Sequence, residues 1–190
     1  DIYSLKFIQN VLYCCTWSSV HCILLGNLEE GVCHMDSYVL ASLEATEHYQ
    51  SAEEAVKSDL NYKSLCPTPV SLPLSQPSVL GYQNGSLVVS SMRGVFAVSL
   101  KHPLVRIGLL LADTQVERAV KWFDAIPERD HEALAAFAER RGYVDLALDY
   151  LPSLSLFTVV DTCMRNGKKQ HLDRLVGVVE SYGAQGLRTI

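Results

Sequence analysis

The stretch that decides the predicted fold lies at residues 78–100 and reads SVLGYQNGSLVVSSMRGVFAVSL. Two reversals divide it into three apolar runs. Asn84-Gly85 predicts the first, because a type I′ hairpin turn needs positive φ at both central residues, and Arg93-Gly94 predicts the second. We therefore expect a three-stranded antiparallel meander, the outline of one β-propeller blade. Since an isolated meander cannot bury both of its faces, neighbouring blades are expected elsewhere in the protein.

The residues before this meander also have the composition of strands. β-branched and aromatic residues cluster in apolar runs, and short stretches rich in Gly, Asn and Ser separate them. The predicted strands are residues 5–8, 11–16, 20–25, 32–35 and 38–43, with turns at residues 17–19, 26–27 and 30–31. Residues 7–28 have no formal charge, but their interspersed polar side chains favour short strands over a membrane helix.

Residues 44–77 interrupt the strand pattern and are interpreted as an inserted or inter-blade loop. Residues 45–60 are charged and compatible with one helix, whereas residues 65–77 are rich in Pro, Ser and Leu. Pro67-Thr68-Pro69 favours extended backbone, which serves either as a stiff connector or as a polyproline ligand for an aromatic groove. The connector is the interpretation that such composition favours.

The hydrophobic period changes from two to 3.6 at Pro103, which predicts helices from there on. After an apolar helical segment at residues 105–111, Thr114 and Glu117 match a capping box. The next apolar stripes are Val116/Ala119/Val120/Phe123, Leu134/Phe137/Ala138, Val144/Ala147/Leu148/Leu151, Phe157/Val160/Cys163/Met164 and Leu172/Leu175/Val176/Val179. Short loops between them predict stacked helical hairpins, as in an α-solenoid, with a compact helical bundle as the alternative.

The predicted fold class is thus β followed by α. Residues 1–102 would form the C-terminal blade or blades of a β-propeller, with an inserted loop at about residues 44–77, and residues 103–190 an α-solenoid of TPR-like helical hairpins. The sequence begins with Asp1 rather than Met, so we expect it to be a piece of a longer protein.

Charge and motif content argue against several function classes. The 190 residues contain 16 Lys and Arg against 21 Asp and Glu, a net charge of −5, which does not suggest a nucleic-acid-binding face. No Gly-rich phosphate loop, GxSxG elbow or HExxH motif occurs in the sequence. The basic pairs Arg140-Arg141 and Lys168-Lys169 are too small to specify an acidic partner or an anionic membrane. We expect no enzyme activity, no cofactor and no catalytic residues.

The six cysteines allow two interpretations. A zinc site would be built from Cys15, Cys22, Cys33 and His34, but the paired CxxC or HxxxH spacing of such sites is missing. Most of the cysteines lie inside apolar runs, which favours small core residues of a reduced, intracellular protein.

Residues 115–167 read QVERAVKWFDAIPERDHEALAAFAERRGYVDLALDYLPSLSLFTVVDTCMRNG. This stretch resembles the start of the helical region in the coatomer α and β′ subunits, and intraflagellar-transport subunits share that layout. The matching positions are Ala135, Phe137, Ala138, Glu139, Gly142, Tyr143, Ala147 and Leu148, where Ala138 replaces a Leu that is common in the family. In that family the helices follow the last blade of a WD-type propeller.

The resemblance implies a structural scaffold subunit of a membrane coat or of a vesicle or ciliary transport complex. Such a subunit binds other protein subunits and cargo, in the cytoplasm, at Golgi or vesicle membranes through peripheral association, or in the cilium. Neither nucleic acid nor a small-molecule substrate is expected. The alternatives are a non-catalytic regulatory or substrate-recruiting module of a larger enzyme assembly, and an enzyme of unrecognised type.

Overall fold

The structure, a computed structural model, describes residues 1–29, 32–43, 65–151, 153–173 and 176. Within these ranges, strands occupy the first part and helices the second. The strands are β1 (Ile2–Ile8), β2 (Val11–Thr16), β3 (Ser19–Glu29), β4 (Val32–Ser42), β5 (Val70–Ser71), β6 (Ser78–Gln83), β7 (Ser86–Ser91) and β8 (Gly94–Ser99). The α-helices are α1 (Pro103–Ala112), α2 (Val116–Val120), α3 (His131–Glu139), α4 (Val144–Tyr150) and α5 (Leu156–Arg165).

The strands form two sheets. One has the order β1-β2-β3-β4-β5, antiparallel except for the parallel β4–β5 pair, and the other is the antiparallel meander β6-β7-β8. The meander and its first turn are confirmed, since φ is 49° at Asn84 and 78° at Gly85. The turn predicted at residues 26–27 is wrong. These residues lie inside β3, where an irregularity in the register with β4 between Leu25 and Leu28 absorbs them without reversing the chain.

The first helix begins at Pro103, where the sequence period changes, but the capping box predicted after it is wrong. Thr114 has a φ of 56°, and its N–H donates to the carbonyl of Leu111 at 3.0 Å. It therefore follows Asp113, the C-cap of α1, in a left-handed conformation, which is a common way for a helix to end. Gln115 takes the N-cap position of α2 and makes no side-chain capping bond.

A single core cluster contains residues from both sheets and from the helices. Helix α1 lies close to β3 and α3, because Gly108 has no side chain at the contact. A Cβ at Gly108 would overlap Cδ1 of Leu24 and lie 3.1 Å from Cζ of Phe137. Leu24 and Phe137 are fully buried there, so the helix and the sheet pack directly on each other.

The predicted propeller and α-solenoid are wrong. The meander packs against a strand of the same chain, since Ser78 Oγ in β6 donates to Ser4 Oγ in β1 at 3.2 Å. Its inner face, which includes Leu87 and Val98, joins the common core. At 190 residues the chain is too small for a propeller plus a solenoid, and its short helices cover the sheets instead. The domain division between residues 102 and 103 stays a prediction.

Part of the loop predicted at residues 44–77 packs against the core. Leu65 and Leu74 are buried, and β5 pairs with the end of β4. The Pro-rich stretch is thus held against the core by buried residues on both sides of β5. The helix predicted within residues 45–60 lies outside the described residues.

The helical stripes differ in their outcome. Leu134, Phe137 and Ala138 of α3 are buried, as predicted. In α5 only Cys163 of the predicted stripe is buried, and Phe157 is 80% exposed, so that stripe does not face the core. In the fifth predicted stripe Leu172 is half-buried and Val176 is 55% exposed, and Leu175 and Val179 lie outside the described residues. In the part of the chain that the structure describes, no helix combines the length and apolar character needed to cross a bilayer.

Candidate functional site

The cysteines give no metal centre in the described part of the chain, where no group of three or more His, Cys, Asp or Glu side chains is placed to hold an ion. Cys15 and Cys22 lie in the core, and burial raises the pKa of their thiols to about 11 and about 12. Such thiols stay protonated at neutral pH. The side chains of Cys33 and His34 lie outside the described residues. The prediction of core cysteines is confirmed for Cys15 and Cys22, which belong to the core cluster, while Cys14 and Cys163 are buried outside that cluster.

The side of the five-stranded sheet that points away from the core is apolar, and we call it the outer face. Residues paired directly across antiparallel strands share a face of the sheet. The register of β1, β2, β3 and β4 therefore places two rows of four side chains on the outer face, Phe7–Leu12–Ile23–Ser37 and Leu5–Cys14–His21–Val39. None of these eight residues is Asp, Glu, Lys or Arg.

The outer face is most exposed along β1. Leu5 is 57% exposed and Phe7 is 60% exposed. At the end of the same strand, Tyr3 and Trp17 meet edge to face with ring centroids 5.5 Å apart, and each is about half exposed. Contiguous apolar surface of this kind marks sites where other molecules bind.

The opposite side of the same sheet, the core face, is covered. Tyr13, Cys22 and Tyr38 follow one another across β2, β3 and β4, and all three are buried. The contact of Gly108 with Leu24 places α1 on this side. Sheets whose strands are apolar on both faces are typically covered on both faces. Here the chain's own helices α1 and α3 pack on the core face. On the outer face, Cys14 and Val39 are buried, whereas Leu5 and Phe7 of β1 are exposed.

A second feature is a pair of arginines, one of them buried, at the junction of β4 with the end of α3. Asp36 Oδ1 lies 3.2 Å from Arg140 Nη2, and Asp36 Oδ2 lies 2.8 Å from Arg141 Nη2. The Arg141 side chain is only 4% exposed, stacks 3.6 Å above the Phe137 ring, and donates from Nη1 to the Phe137 carbonyl at 3.0 Å. Two guanidinium groups thus face the Asp36 carboxylate.

Burial lowers the pKa of Arg141, and the neighbouring Asp36 carboxylate opposes that shift. An arginine nevertheless stays protonated in proteins. From the sequence, Arg140-Arg141 was interpreted only as a short basic pair, and no ion pair with a distant residue was predicted. Its partner Asp36 lies 104 residues before Arg140, so no local pattern could have connected them.

A cavity of about 210 Å³ lies beside this cluster. Arg141 and Tyr143 form one side, the turn after α1 forms another, and Asn10 of the β1–β2 turn also contributes to the lining. Its lining residues are Asn10, Leu25, Leu111, Ala112, Thr114, Arg141 and Tyr143. Asn10 and Thr114 both have positive φ, 60° and 56°, which is uncommon for residues other than glycine.

Comparison of the chain with models of known protein families, with curated proteins and with solved structures gives no match. The resemblance of residues 115–167 to coatomer subunits therefore stays a prediction. The outer face and the cavity beside Arg141 are candidate sites in the described part of the chain.

Proposed function

We propose that this chain is a non-catalytic scaffold subunit that binds partner proteins of a larger assembly through the outer face. The observation that carries the proposal is an apolar outer face on which Leu5 and Phe7 of β1 are more than half exposed. A second protein chain that covers this face removes Leu5 and Phe7 from water.

The chemistry of the outer face favours a protein partner. Nucleic acids bind through phosphates and need clustered Lys and Arg, which the eight residues of the outer face do not provide. The centres of protein interfaces are poor in charge and rich in aromatic residues. Phe7, with Tyr3 and Trp17 at the edge of the same sheet, fits that composition.

The resemblance of residues 115–167 suggests which assembly to test first. It supports a membrane coat or a vesicle or ciliary transport complex, in the cytoplasm, on Golgi or vesicle membranes, or in the cilium. In this proposal the partner subunits and cargo bind the sheet, and neither a propeller nor a solenoid within this chain is required.

The experiment is affinity capture of the tagged chain from ciliated cells, with quantitative mass spectrometry of what is recovered. Phe7→Asp places a charge on the outer face, and Met92→Asp is the matched control, because Met92 is 76% exposed on the β7–β8 turn. Coat or ciliary transport subunits should be recovered with the unchanged chain and with Met92→Asp, and depleted with Phe7→Asp.

Two outcomes contradict the proposal. Equal recovery of those subunits with Phe7→Asp would show that the outer face is not the binding surface. Recovery of an enzyme complex without coat or transport subunits would replace the proposal with the regulatory or substrate-recruiting module. Circular dichroism of Phe7→Asp separates lost binding from lost folding.

A further inference from the structure

We propose that Ser153 is a reactive serine, which His131 activates to take up an acyl group from an uncharged ester. Ser153 is exposed in the loop between α4 and α5, and its Oγ lies 2.5 Å from Nδ1 of His131, the first residue of α3. A serine hydroxyl is a weak nucleophile unless an adjacent base takes its proton. The imidazole of His131 is placed to be that base.

The second ring nitrogen of His131 decides the direction of this hydrogen bond. Nε2 lies 3.2 Å from the carbonyl oxygen of Ile126, and a carbonyl oxygen only accepts. In the neutral ring Nε2 therefore carries the proton and Nδ1 is the acceptor, so the Ser153 hydroxyl donates to Nδ1. A nucleophile, its base and a group that orients the base thus follow one another, which is the arrangement that activates serine nucleophiles.

The loop that carries Ser153 is held against α3 by a second set of hydrogen bonds. The Glu132 carboxylate accepts from the Ser155 N–H at 3.3 Å and from the Thr158 hydroxyl at 3.1 Å. His131 itself is buried and has a partner at each ring nitrogen. The base is therefore sheltered from water while the nucleophile is open to a substrate, and both are in position before it arrives, as proximity catalysis requires.

The surroundings of Ser153 suit an acyl group with a hydrocarbon part. Leu156 is 56% exposed and Phe157 is 80% exposed, and both lie on the first turn of α5, which begins just after Ser153. Apolar side chains left in water at this point offer contacts to an acyl chain. Glu132 places a carboxylate beside the same turn, which disfavours an anionic substrate and favours an uncharged ester.

The reaction needs no further reactant. Ser153 Oγ bonds to the carbonyl carbon of the ester while its proton passes to Nδ1 of His131. The bond from that carbon to the alcohol oxygen then breaks, and the proton leaves Nδ1 with the alcohol. The products are acylated Ser153, free alcohol and neutral His131. Each chain is modified once, so the reaction is compatible with a non-catalytic scaffold subunit and does not depend on binding at the outer face.

The test is labelling of the purified chain with a fluorophosphonate, which phosphonylates activated serines with loss of fluoride, followed by peptide mass spectrometry. The exposed serines Ser71, Ser99 and Ser155 are controls within the same molecule. We expect Ser153 to be labelled at least about a hundredfold faster than these, because general base catalysis contributes about 10²–10⁴-fold. Prior treatment with 4-nitrophenyl butyrate, an uncharged ester, should protect Ser153 from the fluorophosphonate.

A pair of histidine variants separates activation by the imidazole from mere exposure of the serine. His131→Gln removes the base, and labelling of Ser153 should fall at least about a hundredfold. His171→Gln is the matched control, since the His171 ring pairs with Asp145 of α4, and it should leave the labelling of Ser153 unchanged. Circular dichroism shows whether each variant is folded. The comparison of Ser153 with the control serines in the unchanged chain needs no variant and decides the proposal if His131→Gln is unfolded.

Labelling of Ser153 no faster than that of the control serines would overturn the proposal. Undiminished labelling of Ser153 in folded His131→Gln would overturn it as well, because the reactivity would then not come from the imidazole. If 4-nitrophenyl butyrate leaves Ser153 open to the fluorophosphonate, an uncharged ester is not the acyl donor.

Discussion

The two faces of the five-stranded sheet have similar chemistry and different surroundings. On the core face Tyr13 and Cys22 are buried under α1 and the meander, whereas on the outer face Leu5 and Phe7 are more than half exposed. When successive residues of a strand are apolar, the sequence of that strand does not show which of its two faces packs against the core. The helices α1 and α3 pack on the core face, so we expect another part of this chain or another protein chain to cover the exposed side chains of the outer face.

The largest expected effect is at the core. Phe137→Asp places a carboxylate at a fully buried position against Arg141 and Gly108, and losing the ring alone costs about 3–5 kcal/mol. Stability of small domains is about 5–15 kcal/mol, so we expect most of the chain to be unfolded at 37 °C. Circular dichroism and thermal melting measure it. Native helical signal and an unchanged melting temperature would mean that the assignment of helix faces is wrong.

The core face also predicts a pH dependence. Burial raises the pKa of Cys22 from 9.0 to about 12. Between these values the unfolded thiol loses its proton and the folded thiol keeps it, so the free energy of unfolding falls as pH rises through that window. The slope from one such thiol is about 1.4 kcal/mol per pH unit. Denaturant titrations at stepped pH should show a shallower decline for Cys22→Ala; equal slopes would contradict the burial of that thiol.

A smaller effect is expected where the helix meets the sheet. Gly108→Ala usually stabilises a helix by about 0.5–1 kcal/mol. Here the new Cβ overlaps Leu24 Cδ1, and overpacking costs about 1–3 kcal/mol, so we expect a net loss near 1 kcal/mol in urea titrations. In a Leu24→Ala background the same change should no longer destabilise. If Gly108→Ala stabilises the otherwise unchanged chain, α1 does not approach β3 this closely.

The smallest effect on stability is expected on the outer face. Phe7→Asp changes an exposed side chain, and we expect the free energy of unfolding to stay within about 0.5 kcal/mol of that of the unchanged chain. The same urea titrations measure it. A loss comparable with that of Phe137→Asp would show that residues of this chain already bury Phe7, and that the two faces do not differ.

The sequence predicted the elements whose causes are local. The turn at Asn84-Gly85 needs two residues that adopt positive φ, and Pro103 is suited to the first turn of a helix, so both appear where they were expected. The Thr114 capping box failed because ending α1 in a left-handed conformation competed with starting α2, and a four-residue motif does not show which of the two prevails.

The predictions that were wrong concern contacts between residues that are far apart in the sequence. The sequence pattern of the meander favours a propeller because its partner strand, β1, lies more than seventy residues earlier. Hydrophobic periodicity within the meander does not show which distant strand packs against it. The Asp36–Arg141 pair and its cavity are long-range in the same way. In α5, Phe157 and Cys163 belong to one apolar stripe in the sequence, yet only Cys163 is buried. Hydrophobic periodicity shows that a helix has an apolar stripe, but it does not show which part of the protein packs against that stripe.

The measurement that tests the central claim most directly is carbene footprinting of the captured assembly against the purified chain. Labelling of Leu5 and Phe7 should fall strongly in the assembly, while labelling of Met92 and Val95, which are also exposed, stays unchanged. Equal labelling of Leu5 and Phe7 in both samples would contradict the assignment of the outer face as the surface that binds partner proteins.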